Sequence, residues 1–395
     1  MTNHLARWFG RLFGNRQMVE KPASGRADSS HDSIFYGLDE PPHHLVREGA
    51  IAHFSGSVLC IESRAVCNLR VYADGALVGS FPVDSPRAQI GQTVPHVARS
   101  AICGFEFDLP IGQGKDRYDF ELIFENGDQE FFFSYDIARL RRLRGRLDRM
   151  HLALERLAMP DGPLVMLTQG HENVLSYRNS IIPFIVNVEQ YLAEVGVKLT
   201  DVRSVLDIGC GSGRALTAWH LDDPTRRLHG CDINETLIAW SQRNLPRQIE
   251  LVSNSVLPPL AYPDRSFDLV QLISVFTHLS LAVQRLWVDE IRRILKPGGC
   301  LLITLQNEFY VQLFLPGSIE EFRRDGYLET VGREEGLNHY GAFHAPSFVP
   351  GLFTGFEIAG YFPRGKIGGK RTIFQIASQQ DVYILRRSAE ATPLP

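Results

Sequence analysis

Val202-Arg203-Ser204-Val205-Leu206-Asp207-Ile208-Gly209-Cys210-Gly211-Ser212-Gly213-Arg214 is the stretch that decides the fold. Its apolar start, ending in Val205 and Leu206, reads as the end of a buried strand. Asp207 stands at the carboxyl end of that strand. Gly209, Gly211 and Gly213 then predict a tight turn into a helix beginning near Arg214. A ligand can approach such a backbone closely, because no Cβ intervenes. The N–H groups that open a helix favour a carboxylate or phosphate. In an α/β sheet, ligands bind outside the carboxyl ends of the strands. A dinucleotide site needs GxGxxG. Counted from Gly209 the third glycine position is Arg214, and counted from Gly211 it is Leu216. The pattern is instead Asp-x-Gly-x-Gly-x-Gly.

Working outward, strands and helices alternate, which implies a mostly parallel sheet covered on both faces. A second strand, Arg227 to Cys231, ends in Asp232, 19 residues after Gly213. An acid at that tip can accept both hydroxyls of a ribose. Ile233 follows it, and Asn234 is placed to cap the next helix. A third strand, Ile249 to Ser253, ends in Asn254-Ser255. Pro263 to Leu272 holds a fourth, with Phe267 and Leu269 facing inward, and Ser274-Val275-Phe276-Thr277-His278 follows it. A helix bearing Trp287, Ile291 and Ile294 is stopped by Lys296-Pro297-Gly298-Gly299, where a fifth buried strand starts. Phe356 to Phe362 and Asp381 to Arg387 supply two more strands.

These segments, in this order, resemble the class I S-adenosylmethionine-dependent methyltransferases. The resemblance implies a Rossmann-like α/β fold, with a seven-stranded, mostly parallel sheet and a reversed last strand. It implies S-adenosylmethionine as cofactor. Asp207, Gly209, Cys210, Gly211 and Gly213 would cradle its methionine and ribose, and Asp232 and Ile233 would hold the ribose end. The family often has an aspartate after the third strand for the adenine amino group. Asn254 stands there with Ser255, and its amide oxygen can still accept that hydrogen bond. Ser274 would lie beside the reacting sulfonium. No metal is required for such a transfer, and no CxxC pair among the six cysteines suggests one.

A sugar hydroxyl as acceptor would need a base to take its proton. His278 is the first candidate because it follows the fourth strand, and His344 and His339 come next. The latter two lie in a long insertion, residues 306 to 348, which is expected to cover the substrate. The insertion also carries Glu308, Tyr310, Glu334, Glu335 and Tyr340. A helix from Tyr177 to Leu192 is expected to form another wall.

The first half differs. Short alternating runs recur at Ser57 to Ile61, Asn68 to Tyr72, Ala76 to Phe81, Gly104 to Leu109, Tyr118 to Phe124 and Glu130 to Tyr135. Asp74-Gly75 and Asn126-Gly127 punctuate them, with Asp74-Gly75 predicting a hairpin. Such a series predicts a small β-sandwich. Val71 to Gly79 and Cys103 to Leu109 resemble accessory β-sandwich domains of bacterial surface-polysaccharide enzymes. That resemblance implies a saccharide acceptor. A generic scaffolding sandwich is the other reading.

Leu140, Leu143, Leu147, Met150, Leu154 and Leu157 then form an a/d seam on an arginine-rich helix. The seam predicts either a homodimer contact over residues 140–157 or packing onto a neighbouring domain. At the N-terminus, Leu5, Trp8, Phe9, Leu12 and Phe13 form an apolar stripe opposite Arg7, Arg11 and Arg16. Residues 4–16 suit a peripheral membrane helix, or a helix docked on its own protein.

The expected organisation is a terminal segment and linker at 1–42 and a β-sandwich at 43–136. A basic linker helix at 137–162 and a methyltransferase domain at 163–395 complete it. The chain has 395 residues, enough for two or three domains. With 44% hydrophobic and 22% charged residues it is an ordinary globular composition, not a disordered one. A net charge of −4 makes a generally basic nucleic-acid binder unexpected. No base-methylation signature follows the fourth strand, where the chain reads Ile273-Ser274-Val275-Phe276. Scattered cysteines and the lack of a secretory signal predict a reducing, cytoplasmic location. A small metabolite or RNA as acceptor, or a scaffold that keeps the fold without catalysis, are the competing functions.

Overall fold

The computed structural model describes residues 33–62, 64–330, 335–336 and 340–388. The stripe at residues 4–16 lies outside them. Among the described residues, no helix is long and apolar enough to cross a membrane.

The N-terminal region is a β-module of two antiparallel sheets. One sheet joins β1 (Ile34–Glu40), β2 (Ile51–Cys60) and β5 (Gly104–Pro110). The other joins β3 (Val66–Ala73), β4 (Ala76–Pro82), β6 (Arg117–Phe124) and β7 (Gln129–Asp136). Alternation places Tyr118, Phe120, Leu122 and Phe124 of β6 on one buried face. Phe54 lies 5.2 Å from Phe120, and Phe107 stacks on Phe81 at 3.8 Å, so aromatic rings bridge the two sheets. Asp74 and Gly75 both take positive φ in the expected hairpin turn. β1 falls within residues 1–42, where a terminal segment and linker were expected. Its residues are covered on both faces along most of its length, so it shows no alternation to read.

The helix Ile137–Leu154 follows, opened by Asp136, whose side chain accepts from the Arg139 N–H. Its seam residues Leu140, Leu147, Met150 and Leu154 are buried in the chain's own core. The helix packs on helices Ile181–Glu194 and Arg214–Asp222. The homodimer reading of 140–157 is thereby overturned, because the apolar face it needs is already covered. The arginines are also engaged. Arg141 pairs with Glu48 at 2.8 Å and Asp116 at 3.0 Å. Arg146 bridges Glu189 at 2.7 Å and Asp222 at 2.5 Å.

The second half holds a seven-stranded sheet. Its strands are β8 (Ser204–Ile208), β9 (Arg227–Asp232), β10 (Ile249–Ser253), β11 (Phe267–Leu272), β12 (Leu295–Leu305), β15 (Phe356–Phe362) and β16 (Asp381–Arg387). Their order is β10-β9-β8-β11-β12-β16-β15. β16 pairs antiparallel with both neighbours, and the other pairs are parallel. This is the expected Rossmann-like sheet with its last strand reversed. Every residue of β8 is buried, as a central strand covered on both faces requires.

The helix expected from Tyr177 to Leu192 is broken in two, Val174–Asn179 and Ile181–Glu194. Pro183 explains the break, because it has no N–H to give the carbonyl four residues back, at Asn179. The described part of the insertion at 306 to 348 carries secondary structure. It carries helices Glu308–Phe314 and Ile319–Asp325 and a two-stranded pair, β13 (Tyr327–Glu329) with β14 (Ala342–His344). Phe35, Ile90 and Val94 of the β-module share one apolar cluster with Phe309, Tyr310 and Val311 of this insertion. The two halves are therefore packed into each other.

Candidate active site

Parallel strands put their carboxyl ends on one edge of the sheet, and a cavity of about 350 Å³ opens there. The turn after β8 forms its floor. Gly209, Gly211 and Gly213 take φ of 73°, 56° and 79°, a region that favours glycine. A Cβ on Gly209 would strike Val275, and one on Gly211 would strike Thr168. Asp207, Gly209, Cys210 and Gly211 line the cavity. Gly213 does not. It is the residue before helix Arg214–Asp222, and a Cβ there would run into Leu245, so its role is the helix start.

Asp232 lines the cavity from the tip of β9. One carboxylate oxygen accepts from the Gly211 N–H at 2.8 Å and the other from the Asn234 N–H at 2.8 Å. The acid therefore also holds the glycine turn in place, a task the sequence did not reveal. Each oxygen keeps a second lone pair for a ligand. Burial pushes its pKa up, and the two backbone N–H groups pull it back. Asp207 is driven further, to about 7, by burial, against the pull of the neighbouring Gln271 amide and the Arg214 charge.

Ile233, Asn254, Ser255 and Ser274 lie on the same wall. Asn254 donates through Nδ2 to the Ser255 carbonyl at 2.7 Å, while its buried Oδ1 has no partner. An unpaired buried acceptor is costly, so this oxygen is suited to a ligand donor. Ser274 takes φ 60°, which is strained for a residue with a side chain. Three contacts hold it: Thr304 Oγ1 accepts from its N–H, Thr277 donates to its carbonyl, and Gln380 Nε2 donates to its Oγ at 2.7 Å.

The three histidines part company. His278 is 8% exposed and lines the cavity. Its Nδ1 lies 2.9 Å from the Tyr340 carbonyl, which can only accept. The neutral ring therefore carries its proton on Nδ1 and its lone pair on Nε2. His344 is a correction: it is buried away from the cavity, with Nε2 2.9 Å from Gln284 Oε1, and burial lowers its pKa to about 3. The core between the insertion and helix Leu281–Ile294 absorbs it. His339 and Glu334 fall outside the described residues. Of the other insertion residues named from sequence, Tyr310 reaches the cavity, while Glu308 turns away to Arg323 at 2.8 Å.

Several lining residues had no site role expected of them from sequence. Arg214 is half-buried on the wall, donates to the Ile376 carbonyl and lies over the Phe184 ring, and among the described residues it forms no salt bridge. Such a cation is suited to an incoming carboxylate. His171 lines the cavity too, and its Nδ1 accepts the Asn173 N–H at 3.2 Å. Arg214 follows the last glycine directly, and that adjacency was the available clue. Gln380 and His171 are distant in sequence from every motif.

Residues 206–303 match the Methyltransferase domain family. A probable methyltransferase, ltbC, of Aspergillus luteorubrus is 28% identical over 220 residues, 50% of this chain and 70% of that protein. A probable S-adenosylmethionine-dependent methyltransferase of Mycolicibacterium smegmatis is 34% identical over 115 residues, 29% of this chain and 41% of that protein. A tRNA (carboxymethyluridine(34)-5-O)-methyltransferase of Arabidopsis thaliana is 35% identical over 102 residues, 26% of this chain and 23% of that protein. The chain thus spans less than half the length of the last two. Over residues 206–303 the sheet is thus similar to a methyltransferase domain. The domain built on this sheet is an enzyme domain that depends on S-adenosylmethionine. The expectation against nucleic acid, drawn from net charge and the missing base-methylation signature, gains no support from these comparisons.

Proposed function

We propose that the chain O-methylates a saccharide hydroxyl, with the cavity holding cofactor and acceptor side by side. The observation that carries this reading is His278, a histidine that lines the cavity and is oriented by the contact of its Nδ1 with the Tyr340 carbonyl at 2.9 Å. When bound, S-adenosylmethionine supplies a methyl group on a sulfonium, which an oxygen nucleophile accepts in line as the thioether leaves.

The residues present fit that cofactor. Asn254 Oδ1, the orphaned acceptor, takes the adenine amino group. Asp232 takes the ribose hydroxyls with the lone pairs its backbone bonds leave over. Arg214 and the opening N–H groups of its helix take the methionine carboxylate. Ile233 and Ser255 flank the adenine, and Cys210 and Asp207 back the glycine turn. Ser274, held rigid, borders the reacting centre. His278 Nε2 takes the hydroxyl proton as the new C–O bond forms.

The saccharide rests on the likeness of the β-module to accessory domains of surface-polysaccharide enzymes. A membrane-peripheral, cytoplasmic setting through residues 4–16 belongs to the same reading. The test is incubation with methyl-labelled S-adenosylmethionine and separate glycan, lipid, small-metabolite and RNA fractions. Label in the glycan fraction as an alkali-stable ether supports it. Label in RNA or a small metabolite alone overturns the saccharide, and no cofactor binding at all leaves a scaffold.

A further inference from the structure

The cavity has a second wall that belongs to no methyltransferase motif. Phe35 and Tyr36 on β1 line it, as does Ile90 from the short helix Ala88–Thr93. These residues are nearly buried, with Phe35 at 7% and Ile90 at 4% exposure. They are fixed against the catalytic half. Phe35 stacks on Phe309 at 6.3 Å. The Tyr36 hydroxyl donates to the Thr372 carbonyl at 2.8 Å, and Gln379 Nε2 donates to the Tyr36 carbonyl at 3.1 Å. Arg364, over the ring of Phe309, donates to the Ile34 carbonyl.

β1 thereby holds the segment between β15 and β16, whose Ile376 and Gln380 also line the cavity. Gln380 is 3% exposed, gives its N–H to Ser274, and leaves a buried Oε1 with no partner. Among the described lining residues the only acids are Asp207 and Asp232, and the only arginine or lysine is Arg214. All three stand on the strand tips and glycine turn of the cofactor side. The described residues that the β-module and the segment before β16 contribute include no acid, lysine or arginine. A charged acceptor would lose its hydration there without a counter-charge.

We propose that the β-module is one wall of the acceptor site, where Phe35, Ile90 and Ile376 receive an uncharged acceptor face and Gln380 Oε1 accepts a hydrogen bond from its hydroxyl. This deepens the methyl-transfer reading and rests on it. The wall selects a neutral, hydroxyl-bearing molecule with an apolar face, which a sugar ring presents through its C–H groups.

The test needs no knowledge of the natural acceptor. S-adenosylhomocysteine reports the cofactor side. A sulfonium analogue carrying benzyl in place of methyl projects its ring into the acceptor space. Calorimetry compares the full chain with Ile90→Ala, Phe35→Leu and, as a control on exposed β4, Leu77→Ala. The expected result is S-adenosylhomocysteine affinity within about twofold of wild type throughout, with the benzyl analogue at least fivefold tighter in Ile90→Ala or Phe35→Leu and unchanged in Leu77→Ala. Phe35→Leu keeps an apolar side chain against Phe309, so it decides the matter if Ile90→Ala folds poorly. A benzyl analogue that gains nothing in either folded variant overturns the proposal while the cofactor reading stands. Failure of wild type to bind S-adenosylhomocysteine overturns both.

Discussion

The two walls of the cavity are built by different rules. On the cofactor side, chemistry is concentrated at the carboxyl ends of strands: Asp207 is next to last in β8, Asp232 ends β9 and Asn254 follows β10. A fixed ligand fixes those residues and their spacing. On the β-module side, Phe35 and Ile90 are apolar residues on a strand and a short helix, and neither belongs to a motif. Their place comes from packing against Phe309 and the segment before β16. A wall of this kind can change with the acceptor while the cofactor side stays constant.

The sharpest way to break this contrast is to remove the base at the junction. His278→Asn keeps an N–H for the Tyr340 carbonyl and removes the basic Nε2. Turnover is expected to fall roughly 10²- to 10⁴-fold, with S-adenosylhomocysteine affinity unchanged. Single-turnover kinetics on the labelled acceptor fraction measure it, and full activity removes His278 from the mechanism. Asp232→Ala comes next. Loss of hydrogen bonds to a charged acceptor is worth roughly 1.5–3 kcal/mol, about 10- to 150-fold in affinity. Because Asp232 also holds the Gly211 N–H, the variant should show faster amide exchange in the glycine turn as well. Unchanged calorimetric affinity in a folded Asp232→Ala chain would sink the ribose assignment.

Asn254→Ala should weaken S-adenosylhomocysteine by about 2- to 13-fold, the worth of one neutral hydrogen bond of roughly 0.5–1.5 kcal/mol. The inosine counterpart, which lacks the amino group, should bind wild type and variant alike. A penalty that persists with the inosine ligand shows that Asn254 does not meet the amino group. The smallest expected effect is on stability. Asp207 has a folded pKa of about 7 against an ordinary 3.8, so the folded state holds its proton more tightly than the unfolded one. Its contribution is present below about pH 4 and is lost as pH rises through about 7. Asp207→Asn should flatten that part of the ligand-free stability profile in urea titrations. An unchanged slope between those values means Asp207 is ionised throughout.

Much of the catalytic half was legible because each strand ends in a residue with a chemical task. The Asp-x-Gly-x-Gly-x-Gly spacing located β8, and Asp232 and Asn254 followed in register. What failed to show in sequence depends on contacts far apart along the chain. β1 has no alternation because both of its faces are covered. His344 looked like a lid residue, yet it packs against Gln284, 60 residues away, in a core no local pattern marks. The seam at Leu140 to Leu154 was visible as an apolar stripe, but a stripe does not say whether its partner is another copy or the chain itself. Gln380 gives no signal at all, since an isolated glutamine becomes notable only when its oxygen is found buried without a partner.

A crystal structure of the full chain with S-adenosylhomocysteine tests the central claim most directly. The account predicts the adenine amino group on Asn254 Oδ1, the ribose on Asp232 and the carboxylate at Arg214, with the sulfur facing the Phe35 and Ile90 wall. A ligand seated elsewhere, or one whose sulfur points away from the β-module, would contradict it.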